Sequence, residues 1–221
     1  LADDHTWLSD FPITRLNAPL LFDENLQAKY AYWGVIDPEQ LPVLIKEQFV
    51  SEATPEVDGM AEDLWEMMPW IEIGSTGTMT ASYQTRWDQN NLYVIVKVED
   101  PTEDDGDKVE VFVDQNNGKT ETYEADDRYY TFPSGTFLMD HVIITNTHGY
   151  RLEARLPLSE TLEVDKRVGF DIRVTDGAMP DSPISWNDPT NSQLTDPSKF
   201  GTLVLIDEIK MTTAIPGAPV I

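Results

Sequence analysis

Four carboxylates crowd five positions at Glu103-Asp104-Asp105-Gly106-Asp107, the densest run of hard oxygen donors in this 221-residue chain. Oxygen donors of this kind suit Ca²⁺. The spacing is not that of an EF-hand loop, however, and an acidic run without a further signal reads first as a solvated loop. His5, His141 and His148 are too scattered for a zinc or nucleophile site, and cysteine is absent. Neither a tetrahedral metal centre nor a Ser-His-Asp or thiol nucleophile is therefore suggested, and no carboxylate pair is marked out for acid-base work. What the sequence offers instead is polar side chains on the outward faces of predicted strands, Glu110 and Arg173 among them.

The stretch from Thr78 to Asp114 supplies the frame for such residues. Met79, Ala81 and Tyr83 alternate with Thr80, Ser82 and Gln84, and Val109, Val111 and Val113 alternate with Glu110, Phe112 and Asp114. That period of two belongs to half-buried strands. Between them, Leu92, Val94, Val96 and Val98 alternate with Tyr93, Ile95, Lys97 and Glu99, so both faces carry apolar area and this strand is expected to be central. Asp88 to Asn91 supply the turn before it. Further strands are expected over 57–59, 70–73, 120–123, 129–132, 142–145, 150–156, 169–175, 184–186 and 202–206. Many short alternating strands without a helical period predict an all-β fold, an antiparallel β-sandwich over 54–207. Residues 38–53, with Pro38 and Pro42, read as a linker ending in an opening strand. Residues 208–221, with Pro216 and Pro219, read as a linker toward another module.

The composition, 40% hydrophobic and 10% aromatic, is that of a globular protein. A formal charge of -25, from 15 basic and 40 acidic residues, argues against nucleic acid and anionic membranes as partners. No apolar run approaches the roughly 20 residues that span a bilayer. The start at Leu1-Ala2-Asp3-Asp4 suggests a fragment of something longer.

TPEVDGMAEDLW, TRWDQNNLYVIVKVEDP, DKVEVFVDQNNGKTETYEADD, GYRLEARLPL, GFDIRVTD and SWNDPTNSQLTDPSKFGTLVLI resemble, in order, the successive motifs of the family 9 carbohydrate-binding modules. The likeness covers about residues 54–206. Residues 1–37, where DDHTW precedes APLLFDENLQAKYAYWGVID, are similar to the C-terminal end of the family 10 glycoside hydrolase xylanases. Trp7 falls on that family's loop tryptophan, and Tyr30 stands where it usually has Pro. This resemblance implies a loop-helix remnant of a TIM barrel, helical over 27–36, at the front of the chain. Retaining glycosidases need two carboxylates about 5 Å apart, and the resemblance puts both upstream of Leu1. The chain itself is then expected to be noncatalytic.

In the module family, two tryptophans clamp a terminal sugar. One clamp position falls within residues 102–107, which hold no aromatic, and the other falls on Leu194. An arginine of the site falls on Thr131, with Arg128 near. The resemblance carries over Glu110, Arg173 and Asn191 as carbohydrate-binding residues, with Asp107 beside the lost clamp. Trp186 flanks the site by its match, against a competing and preferred reading as a core tryptophan. Glu62 and Asp100 fall on acidic positions of the family motifs, which implies one structural calcium ion.

The function expected is a noncatalytic module of a secreted, extracellular endo-1,4-β-xylanase, binding xylan or cellulose-type polysaccharide for its own upstream catalytic barrel. The alternative is a calcium-stiffened spacer that has lost the clamp and packs on the barrel or another module.

Overall fold

The computed structural model describes residues 20–22, 28–31, 45–60, 63–66, 68–102, 104–134 and 140–207. The chain divides into two units, Leu1–Pro42 and Val43–Ile221. In the first, β1 (Leu20–Phe22) pairs antiparallel with β2 (Ala28–Ala31), with Leu21 opposite Tyr30. The helix expected over 27–36 is thus a strand where it is described. Its backbone groups find partners across a ladder instead of one turn back.

The second unit holds β3 (Glu47–Ser51), the one-turn helix α1 (Asp63–Glu66), β4 (Ile71–Thr76), β5 (Met79–Trp87), β6 (Asn91–Glu99) and β7 (Lys108–Asp114). Then come β8 (Arg128–Pro133), β9 (His141–Asn146), β10 (Gly149–Pro157), β11 (Arg167–Thr175), β12 (Ile184–Ser185) and β13 (Gly201–Ile206). One sheet runs β4-β5-β6-β10-β9, and the other runs β3-β13-β11-β7-β8 with β12 added beside β11. All pairs are antiparallel except β3 and β13, which run parallel from Glu47 opposite Thr202 to Ser51 opposite Ile206.

The two sheets close on one apolar core. Val94, Val96, Leu152 and Tyr83 enter from one side, and Val109, Val111, Phe170 and Ile172 from the other. Asp88 makes the β5–β6 turn by accepting the N–H groups of Asn90 at 2.8 Å and Asn91 at 2.9 Å. β6 is central, as its double-sided pattern predicts, and its outer residues Tyr93 and Ile95 are covered by Trp65, Val57 and Leu64. That cover is not the strand expected over 57–59. The segment is a bend pinned to Glu153, which accepts the N–H of Gly59 at 2.7 Å and of the Trp65 indole at 2.9 Å. Residues 120–123 likewise form no strand.

Candidate functional site

The outward face of the six-stranded sheet carries the polar set that the sequence analysis singled out. Register brings Glu110 of β7 opposite Arg173 of β11 on one side and Thr131 of β8 on the other. The next row sets Phe112 between Asp171 and Tyr129. Directly opposed residues share a face, so these side chains meet. Oε2 of Glu110 accepts from Nε of Arg173 at 2.7 Å, and Oε1 accepts from Nζ of Lys108 at 3.0 Å and the Tyr129 hydroxyl at 2.8 Å. Burial alone would push the Glu110 carboxyl up. The hydrogen bonds from Arg173, Lys108 and Tyr129 outweigh it and hold the group below its ordinary value.

Glu110 is fully buried and Arg173 nearly so, which corrects the expectation that both face solvent. The alternation placed them on the right face, but a distant segment folds over that face. Asp171 organises this cover. It accepts the N–H of Asn187 and of Asp188 at 2.9 Å each, and Nε2 of Gln193 at 3.1 Å. Asp188, buried beneath the loop, holds Thr190 and Ser192 through their N–H groups. Phe200 closes on Phe112 with 5.8 Å between ring centroids.

Trp186 is 3% exposed, between Tyr83 and Phe170 in the core. It offers no stacking face, and a Cβ at Gly201 would lie 2.2 Å from its ring, so glycine is what lets the indole lie against β13. Asn191 adopts φ 59° in the closing loop, with Oδ1 buried and without a hydrogen bond. Leu194 is 49% exposed. Arg128, near the position of the family arginine, is spent on the carbonyls of Ala125 and Asp127. Among the described residues the most exposed aromatic on this face is Tyr129, 44% exposed, with its other side on Phe112 at 5.2 Å and 19°.

Asp107 belongs to a different constellation. Its carboxylate, that of Asp100 after β6 and that of Asp176 after β11 place one oxygen each within 4.8 Å of one another, and all three residues are buried. No lysine or arginine among the described residues pairs with them. Asp107 accepts the N–H of Gly177 at 2.7 Å and of Asp104 at 3.0 Å. Its carboxyl is nevertheless raised, by burial first and then by Asp100 and Asp104.

The Tyr150 hydroxyl, buried without a hydrogen-bond partner, lines the same cleft of about 430 Å³ as Asp100 and Asp107. Burial raises its pKa, and Asp107, Asp100 and Asp176 add to the rise. Three buried carboxylates without a cationic partner and an orphaned hydroxyl are oxygen donors of the kind that could hold a hard cation. Glu62, expected to share a site with Asp100, lies outside the described residues. Asp176 was missed by sequence reasoning, and its only signal was an acid at a strand end before Gly177.

The chain matches the family described as "Carbohydrate family 9 binding domain-like" over residues 57–208. It is 37% identical over its whole length to an endo-1,4-beta-xylanase A of Thermoanaerobacterium saccharolyticum, and 36% identical to an exoglucanase XynX of Acetivibrio thermocellus. It spans only about a fifth of either relative, 20% and 21%. Among solved structures it is similar to a family 9 carbohydrate-binding module of Caldicellulosiruptor kristjanssonii in complex with cellotriose. The TM-score is 0.65 at 26% identity, covering 79% of this chain and 100% of that one. The same module in complex with glucose matches with TM-score 0.65 over 76% of this chain.

Proposed function

Since the chain belongs to the family 9 carbohydrate-binding domains, noncatalytic modules of xylanase-type proteins, we propose that it binds xylan or cellulose-type chains through the outer face of its six-stranded sheet, around Tyr129. The observation that carries this reading is the exposed Tyr129 ring, braced from behind by Phe112 and at its hydroxyl by Glu110. Flat pyranose C–H faces stack on such a ring. Lys108, its side chain 34% exposed, stands beside it and bonds sugar hydroxyls. Glu110 and Arg173 serve as the buried brace that sets Tyr129 and Lys108, and Asn191 contributes from the closing loop.

In the whole protein this module would tether a secreted, extracellular endo-1,4-β-xylanase to plant cell-wall polysaccharide, raising the effective concentration of an upstream catalytic barrel at its substrate. The resemblance of residues 1–37 to the end of a family 10 barrel and the xylanase relatives support that setting. Asp100, Asp107 and Asp176 would hold one structural calcium ion, whose chemistry there is charge neutralisation between the ends of β6, β7 and β11.

Calorimetric titration of this fragment with xylobiose, cellobiose and glucose, with and without calcium, tests the reading. Silence on every sugar would overturn it. The second reading, a calcium-stiffened spacer, is favoured by Leu194 and the burial of Trp186, which leave no tryptophan clamp. A thermal midpoint that moves with calcium and with no sugar would support that reading instead.

A further inference from the structure

On the opposite side of the sandwich, the outer face of the five-stranded sheet carries a cation without a counterion. Arg151 of β10 stands directly opposite Lys97 of β6 and Ile144 of β9, on the face away from the core. Its Nε is buried without a hydrogen bond, and its guanidinium has no carboxylate or carbonyl acceptor among the described residues. Every other lysine and arginine whose side chain is described either pairs with a carboxylate or donates to a backbone carbonyl. In a chain with 40 acidic and 15 basic residues, an unclaimed arginine is the exception. Nε alone is buried; the terminal nitrogens make no hydrogen bond and remain open to an incoming anion.

The ground beside Arg151 suits a sugar. A shallow cleft of about 230 Å³ is lined by Glu72, Thr80, Ser82, Lys97 and Glu99, donors and acceptors with the mixed character that hydroxyls require. Lys97 is already neutralised by Glu99 at 2.6 Å, so Arg151 is the group left to take a negative charge. A planar guanidinium matches a carboxylate bidentately.

We propose that this face binds a pyranose oligosaccharide bearing a uronic acid, with the uronate on Arg151 and the chain hydroxyls on Ser82, Lys97 and Glu72. It is a second site, on the other sheet from the one around Tyr129, and it does not rest on the reading of that site.

The test is titration of the full chain with a glucuronic acid-substituted xylo-oligosaccharide, its methyl ester and its unsubstituted counterpart, followed by amide chemical shifts. The acid is expected to shift Ser82, Lys97 and Arg151 and to bind at least about tenfold more tightly than ester or neutral chain, weakening as salt rises. Arg151→Gln should abolish the preference for the acid and Arg151→Lys should restore part of it. Equal binding of acid and ester, or an unaltered preference in Arg151→Gln, overturns the proposal. Shifts confined to the surroundings of Tyr129 overturn it too, while leaving the first site standing.

Discussion

The hydroxyl of Tyr129 donates to Oε1 of Glu110 at 2.8 Å while its ring lies against Phe112, so the most exposed aromatic on this face is fixed at both its polar and its apolar end. A ring held this way loses little freedom when a sugar stacks on it. Tyr129→Ala is expected to weaken binding by about tenfold, roughly 1.4 kcal/mol, through lost stacking. Tyr129→Phe keeps the platform and should lose less. Calorimetric titration with cellobiose or xylobiose separates the two, and equal affinities in all three proteins would remove Tyr129 from the site.

Glu110→Gln leaves Arg173 with a neutral partner in a buried position. Breaking one side of such a pair costs about 3–5 kcal/mol, to be read from denaturant unfolding. The folded carboxyl is held below its unfolded value, so its contribution is present above the unfolded pKa and is lost as pH falls through the folded one. The stabilities of the wild type and Glu110→Gln should therefore converge in acid. A gap that persisted at low pH would mean that the pair is not the source.

Chelation of calcium is expected to lower the thermal midpoint if Asp100, Asp107 and Asp176 share an ion. Saturation at about a hundredfold over Kd is worth about 2.7 kcal/mol. Asp176→Asn, the acid contributed from the end of β11, should remove the calcium-dependent shift. A midpoint indifferent to calcium in the wild type would exclude this role.

Lys119 donates from Nζ to the carbonyls of Phe200 and Gly201, and burial brings its pKa from 10.5 down to about 8, against the pull of Asp114 and Asp171. Between those values the unfolded chain binds a proton that the folded chain has released. This group therefore makes the fold more stable as pH rises from about 8 to 10.5. Lys119→Met should flatten that rise, measured by denaturant midpoints across the alkaline range.

Strand content was legible because the alternation in β5, β6 and β7 reports two environments across one backbone. Tyr93 and Ile95 even announced that β6 would be covered on both sides. Glu110 was harder, since alternation tells which face a residue takes but not whether residues 186–200, far along the chain, will lie over it. That cover depends on Asp171, whose four hydrogen bonds to Ile172, Asn187, Asp188 and Gln193 have no periodic signature. The gathering of Asp176 with Asp100 and Asp107 was hidden for the same reason. The three come from separate strand ends that only the closed sandwich brings together. Trp186 followed its apolar character into the core, where an indole gains most.

The parallel pairing of β3 with β13 has a mechanical meaning. The chain comes into the sandwich at the Glu47 end of this pair and leaves at the Ile206 end, so tension between the flanking segments pulls the two strands past each other along their length. Their ladder bonds then carry the load together in shear, where a hairpin such as β5–β6 would unzip one bond at a time. Pulling single molecules from before Glu47 and after Ile206 should demand more force than pulling β5 and β6 apart from the end away from their turn. A module loaded this way is a strong link between an anchored surface and whatever is strung on its chain.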